Sequence, residues 1–449
     1  MKKTLVALAA VSAVAAFAQT TDGKPGVQIQ GLFSAGYQAN SYNGVKVNGF
    51  DQNGSGTTQV NIRVLEDLGG GMAAYGRLEN DFSVMSNAAN QGVLPTYGNS
   101  LGVTSGSVNT NPVYRTTLGT VGTWGNGELA VGLRSPAGDF AFGALNNSGL
   151  TMLVATVSPL QGTSFGGGYG TLIGADPTQT KVRWENSFRY ISPTIQGFTG
   201  SYIYAPKQTN GTPTSVTANG VSGTTTSLGL GLQNQVGAQE LGLKYANGPL
   251  TVAFVANKTS LPSFCSSTTA TNATAYPGAA SATAALSSPC ATGAVMTSVI
   301  DKSQDNKQTG LAASYALPSG WLLSAAMQKT QLGGIGTAAT GPVSDRSSVL
   351  YNAMYTSGVH TTFVQMGNVK EGAANNTVYN GLKSNYFSVG YNYALSKNTA
   401  LVARYESFED KAGVLKQMYP SDGIYSQTAG TVTGNVTRIR SMFGIHSAF

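Results

Sequence analysis

Charge is scarce in this 449-residue chain. Asp, Glu, Lys and Arg make up 10% of it, against about a quarter in an ordinary soluble domain. That deficit argues against a cytosolic enzyme, whose wet surface needs charge. Histidine and cysteine number two each, and His360, His446, Cys265 and Cys290 stand at spacings that form no zinc pattern. No metal, cofactor or catalytic centre is therefore expected. Beyond the N-terminus no apolar run approaches the ~20 residues that a spanning helix needs. The net charge is only +7 and scattered, so no nucleic-acid footprint is expected. Disorder is excluded as well, because 41% of residues are hydrophobic. What abounds is glycine, with 58 residues, alongside Thr, Ser, Asn, Tyr and Val. That is the composition of a β protein.

The first 18 residues read as a signal peptide. Lys2 and Lys3 precede an apolar stretch from Leu5 to Ala16, and Ala16-Phe17-Ala18 fits the A-x-A cleavage pattern. Cleavage is expected before Gln19, leaving residues 19–449 as one domain. Export would place Cys265 and Cys290 in an oxidising compartment, where pairing is the default. The expected disulfide staples the 259–307 segment, with pairing between chains as the alternative.

The remaining chain alternates with period 2. Val27, Ile29, Phe33 and Tyr37 share one face of a segment. Val60, Ile62 and Val64 alternate with Gln59, Asn61 and Arg63, and Leu241, Leu243 and Tyr245 with Glu240, Gly242 and Lys244. Leu311 to Leu317, Val349 to Tyr355 and Phe387 to Tyr393 repeat the pattern, which predicts half-exposed strands. Short connections carry turn residues, as at Gly69-Gly70-Gly71, Ser135-Pro136-Ala137-Gly138, Asn247-Gly248-Pro249, Pro318-Ser319-Gly320 and Ser357-Gly358. Between them fall long Gly/Ser/Thr/Asn-rich segments near 84–126, 146–181, 207–236, 259–307, 331–346, 370–382 and 410–436. Pairing each short turn with its flanking strands predicts sixteen strands.

Short turns at one end, long loops at the other and an even strand number describe a transmembrane β-barrel. A secreted β-sandwich or a solenoid adhesin is the alternative. Its polar face would meet water with many charges, whereas here that face is mostly Ser, Thr, Gly, Asn and Gln. At the C-terminus Ile439, Phe443, Ile445 and Phe449 share one parity, while Arg438, Arg440, Met442 and His446 take the other.

Several stretches resemble the beta-proteobacterial trimeric general porins. Residues 58–82 (TQVNIRVLEDLGGGMAAYGRLENDF) look like that family's second strand, Glu-Asp-Leu-Gly turn and third strand. Residues 131–143 (VGLRSPAGDFAFG) resemble the hairpin before its constriction loop, and 186–193 (NSFRYISP) with Gly197-Phe198 the pair after it. Residues 245–250, 393–399 and the closing 444–449 fit too. Two positions depart from the pattern. Ala144 stands where the family usually has a constriction arginine, and His446, Ser447 and Ala448 interrupt its final motif.

The resemblance implies a 16-stranded antiparallel barrel in the outer membrane of a Gram-negative bacterium, with short periplasmic turns and long extracellular loops. It also implies a homotrimer surrounded by outer-membrane lipid, and a loop at 146–180 folded inward to narrow the lumen. Such a barrel would pass small hydrophilic solutes and ions. Residues 140–175 carry no charged side chain; the loop offers Met152, Leu153, Phe165 and Tyr169 instead. The wall would then set the field.

Parity places Arg63, Arg77, Arg134, Arg183, Arg189, Lys244, Arg404, Arg438 and Arg440 on the lumen side, against Glu79, Asp81, Asp139, Glu185, Glu240 and Glu406. The expected pore lining is Arg63, Arg77, Glu79, Asp81, Arg183, Glu185, Arg189 and Arg404. A cationic excess focused in a narrow pore gives weak anion preference; the alternative is that carboxylates neutralise these arginines. A solute-specific channel and a non-conducting adhesin barrel are rival functions. The strings Gly98-Asn99-Ser100-Leu101-Gly102 and Gly162-Thr163-Ser164-Phe165-Gly166 match a hydrolase elbow, but in Gly/Ser-rich loops with two histidines in the chain they carry little weight.

Overall fold

Alternating apolar and small polar residues form a continuous ladder of antiparallel strands in the structure, a computed structural model. It describes residues 25–42, 44–52, 55–82, 127–158, 172, 183–206, 237–260, 264–266, 286–287, 299–300, 306–332, 344–373, 380–414 and 436–449. The strands are β1 (Gly26–Tyr42), β2 (Val45–Gln52), β3 (Gln59–Gly69), β4 (Met72–Asp81), β5 (Leu129–Ser135), β6 (Gly138–Asn146), β7 (Arg183–Ile191), β8 (Phe198–Ala205), β9 (Gly237–Asn247) and β10 (Leu250–Ser260). Next come three short strands, β11 (Phe264–Ser266), β12 (Leu286–Ser287) and β13 (Val299–Ile300), which pair among themselves. The ladder resumes with β14 (Asn306–Ala316), β15 (Trp321–Leu332), β16 (Ser344–Ser357), β17 (His360–Glu371), β18 (Lys383–Ala394), β19 (Thr399–Asp410) and β20 (Val436–Ala448).

The sheet closes on itself. β20 pairs with β1 from Leu32↔Ala448 to Tyr42↔Arg438, and the backbone of Phe449 exchanges hydrogen bonds with Gly31 at 3.1 Å. Seventeen strands enter the sheet, but β2 and β3 share one edge of β1, the former along Ala35–Tyr42 and the latter along Gly26–Leu32. They occupy one position, so the barrel is sixteen-stranded. Closure leaves no unpaired edge, which a sheet surrounded by lipid requires.

Short turns gather at the end of the barrel that holds Gly26 and Phe449. At β3–β4 the reversal uses Gly69, Gly70 and Gly71 at φ +77°, +61° and +77°, a left-handed run that a side chain at each position would oppose. At the opposite end β1 and β2 meet in a tight hairpin after Tyr42.

The outside is apolar and the inside polar. Val27, Ile29, Val131, Phe142, Met327, Tyr351, Met366 and Phe443 are exposed, while Ser34, Asn61, Arg63, Glu240, Gln328, Ser388 and Arg440 are buried. This inverts a soluble protein and suits a wall facing acyl chains. Aromatic pairs cluster toward the turn end, including Phe198–Tyr245 at 4.6 Å, Phe140–Tyr190 at 4.9 Å and Trp321–Tyr355 at 4.9 Å between ring centroids. Such a belt belongs at a membrane–water interface. Met327 lies near the middle of β15 and points outward. Met327→Arg is expected to destabilise the barrel by about 2–4 kcal/mol, with Met327→Leu near neutral. Urea unfolding in lipid vesicles reads this difference, and an Arg variant as stable as the Leu variant would mean that this face does not contact lipid.

Candidate channel lining

After β6 the chain turns into the barrel. Asn147 Oδ1 accepts from Leu150 N at 2.8 Å, starting a wide-turned π-helix, Gly149–Val154, that continues as Ala155–Val157. Its apolar side, Met152, Leu153, Val154 and Val157, packs on the inner wall against Ala253, Val255, Ala312 and Ala326. Small wall residues make room. A Cβ on Gly310 would lie 2.3 Å from Leu153 Cδ1, and one on Gly242 would lie 2.7 Å from Met152 Sδ. Burial of this apolar stripe, uncharged as the sequence showed, holds the segment against the wall.

Polar contacts fix both halves of the loop. Glu240, buried on β9, accepts from Ser148 N and, at 3.3 Å, from Trp184 Nε1. From Glu240 a row of amides crosses the inner wall. Asn257 Nδ2 donates to Glu240 at 3.5 Å and to Gln308 at 3.1 Å, Gln308 Nε2 to Gln328 at 2.9 Å, and Gln328 Nε2 to the Leu172 carbonyl at 2.7 Å. Ser324 Oγ donates to the Val157 carbonyl at 2.8 Å, and Gln365 Nε2 to Ser158 Oγ at 2.6 Å. The expected inward fold of 146–180 is present over its described part, Asn147–Ser158 with Leu172.

The wall charges form ion-paired groups. In the first, Arg77 meets Glu79 and Glu128, and Glu128 also accepts from Arg189 Nη1 at 2.7 Å and from Asn146 N at 3.2 Å. Arg77 Nη2 donates to Asn61 at 2.9 Å, and Arg183 reaches Asp81 at 3.6 Å. In the second, Glu406 on β19 accepts from Arg438 Nε at 2.9 Å and from Arg440 Nη2 at 2.8 Å. In the third, Arg346 Nε meets Glu371 at 3.1 Å and its Nη2 donates to the Ala412 carbonyl at 3.1 Å. Toward the turn end Arg134 faces Asp139 at 3.4 Å, and Tyr75 Oη donates to the same carboxylate at 2.5 Å.

Of the residues expected to line the pore, the structure brings Arg77, Glu79, Asp81, Arg183 and Arg189 together on β4 and β7. Arg63 is buried on the inner face opposite Arg77, and Arg404 is buried on β19. The side chain of Glu185 lies outside the described residues. Its parity is interrupted by Asn186 at φ +47°, opposite a register shift between Gly143 and Leu145, and Trp184 is buried. Sequence reasoning missed Glu128, the carboxylate shared by two arginines. It follows a Gly-rich loop and precedes its strand, so no alternation signals it. Arg346 and Glu371 were missed because β16 and β17 run to the borders of segments read as loops. Cys290 lies outside the described residues, as do residues 1–18 and both elbow strings, so the disulfide and signal peptide stay expectations. Among the described residues, no group of three or more His, Cys, Asp or Glu is placed to hold a metal ion.

A family model described as Gram-negative porin matches residues 4–413. The major outer membrane protein P.IB of Neisseria gonorrhoeae is 29% identical over 275 residues, 59% of this chain; the match spans 63% of that protein's length. Among solved structures, an anion-selective porin from Comamonas acidovorans has TM-score 0.58 at 18% identity, covering 95% of this chain and 100% of that one. OmpF of Salmonella typhi in complex with daunomycin has TM-score 0.53 at 11% identity, covering 94% and 97%. At these identities the structural likeness is one of fold.

Proposed function

Because the chain belongs to the Gram-negative porin family and is not an enzyme, we propose that it forms a water-filled channel through which small hydrophilic solutes and ions diffuse passively. Its place is the outer membrane. The observation that carries the channel reading is a closed barrel, apolar outside and polar inside, with a loop folded against its inner wall to narrow it. Purified protein added to a planar lipid bilayer should produce stepwise, steady conductance. A correctly folded barrel that stays silent would leave the adhesin as the better account.

Weak anion preference is part of this reading. The Arg438–Glu406–Arg440 group carries two guanidinium groups on one carboxylate, and a modest cationic excess is amplified between low-dielectric walls. The group of Arg77, Arg183 and Arg189 adds nothing to it, since Glu79, Asp81 and Glu128 neutralise it, so the preference should be slight. A reversal potential across a salt gradient should favour the anion; cation selectivity in the wild type would reject this assignment. The lining role of Arg63, Arg77, Glu79, Asp81, Arg183, Glu185, Arg189 and Arg404 belongs to the same proposal. So do removal of residues 1–18, a barrel domain over 19–449, the Cys265–Cys290 disulfide and a homotrimer of the beta-proteobacterial type. Heat-modifiable migration of unboiled samples tests the trimer.

A further inference from the structure

The second barrel position is interrupted. Ala35 pairs with Gln52 and Leu32 with Gln59, so residues 53–58 stand where an unbroken strand would place two residues opposite Phe33 and Ser34. The described part of this excursion, Ser55–Thr58, turns to the inner face. Ser55 N donates to Ser34 Oγ at 3.2 Å, and Thr58 Oγ1 donates to the Ser34 carbonyl at 3.2 Å. A Cβ on Gly56 would lie 2.4 Å from Leu32 Cδ2 and 3.6 Å from His446 Cε1. Arg404 Nη2 donates to Ser55 Oγ at 3.0 Å.

Every partner named here is an inner-face residue. Leu32, Ser34 and Arg404 are buried, and their strand neighbours Phe33 and Tyr405, like Ile445 beside His446, are exposed outside. The excursion therefore reaches from the second position over β1 and β20 to β19. The constriction helix packs against β10, β14 and β15, on the far side of the sixteen-position ring. Thr57 is the half-buried residue of the excursion, while Ser55, Gly56 and Thr58 are buried.

We propose that Ser55–Thr58 is a second constriction element, which faces the constriction loop across the lumen and sets ion preference by covering the Arg404 guanidinium. Ordinary strand irregularity does not account for it. One or two extra residues suffice for a bulge, whereas this excursion seats a hydroxyl on a charged side chain three strands away. The proposal rests on the channel reading above, and its test separates the two.

The first variant replaces residues 53–58 by two residues, so that the ladder continues opposite Phe33 and Ser34. Single-channel conductance should rise by roughly half, and the reversal potential should shift toward anions as Arg404 meets the lumen. Adding Arg404→Gln to the shortened barrel should cancel that shift. A shortened barrel that folds and keeps wild-type conductance and reversal potential would overturn the proposal. If the shortened chain does not fold, Thr57→Cys in a Cys265→Ser, Cys290→Ser chain takes its place. A small anionic methanethiosulfonate should then cut the current stepwise, and an unaltered current would overturn the proposal equally. A silent wild type would instead strike the channel reading.

Discussion

Glu406→Ala is expected to lower the unfolding free energy of the barrel by about 3–5 kcal/mol, the cost of breaking a buried ion pair from one side. Glu406, Arg438 and Arg440 are all buried on the inner face of the closing strands β19 and β20. Each guanidinium donates to the same carboxylate at 2.8–2.9 Å. Removing that carboxylate leaves two neighbouring cations to repel each other away from bulk water. Glu406→Gln keeps an oxygen acceptor and should lose less. The contrast is Glu409→Ala, farther along the same strand, whose partner Lys411 at 2.7 Å is half-exposed and screened by solvent, so its loss should be barely measurable. Urea titration of folded protein in detergent, followed by tryptophan fluorescence, ranks the three. If Glu406→Ala unfolded at the same urea concentration as Glu409→Ala, the buried triple would not hold the closing strands together. The position matters because β20 is where the ring shuts, against β1.

Much of this wall was legible in the sequence. Alternation needs no three-dimensional knowledge: when Leu241, Leu243 and Tyr245 face outward, Glu240, Gly242 and Lys244 must face in, and the structure has them so. The short turns were legible for the same local reason, since their Gly and Pro residues meet backbone requirements within four or five positions. What escaped falls into two physical kinds. One kind breaks the period, as at Asn186, where a single left-handed residue resets the facing of Trp184. The excursion is similar: Asn53-Gly54-Ser55-Gly56 has the chemistry of a turn, and nothing local signals that Ser55 and Gly56 lie on the inner face. The other kind depends on contacts between distant segments. Leu153 fits the wall because Gly310, far along the chain, lacks a side chain, and Glu128 matters because Arg77 and Arg189 converge on it.

That distant fit should control permeation more strongly than any single charge. Leu153 is almost fully buried against Ala253, Val255 and Ala312, and the helix around it is held by burial as well as by the amide row from Glu240 to Leu172. Leu153→Asp would put an unpaired carboxylate into that apolar contact, a cost of several kcal/mol that the segment escapes by leaving the wall. The barrel itself should survive, because its ladder hydrogen bonds do not pass through the loop. Liposomes carrying Leu153→Asp should swell in trisaccharide solutions that the wild type excludes or admits slowly. Single-channel current should become noisier as the loop moves. Leu153→Met, which keeps volume and polarity, should match the wild type. Gly310→Leu attacks the same contact from the wall and should reproduce the aspartate's effect on solute size without adding charge. If both disruptive variants fold and leave the swelling rates unchanged, the narrowest point lies elsewhere, and the packed helix would be a lining of the wall rather than the gate on its lumen.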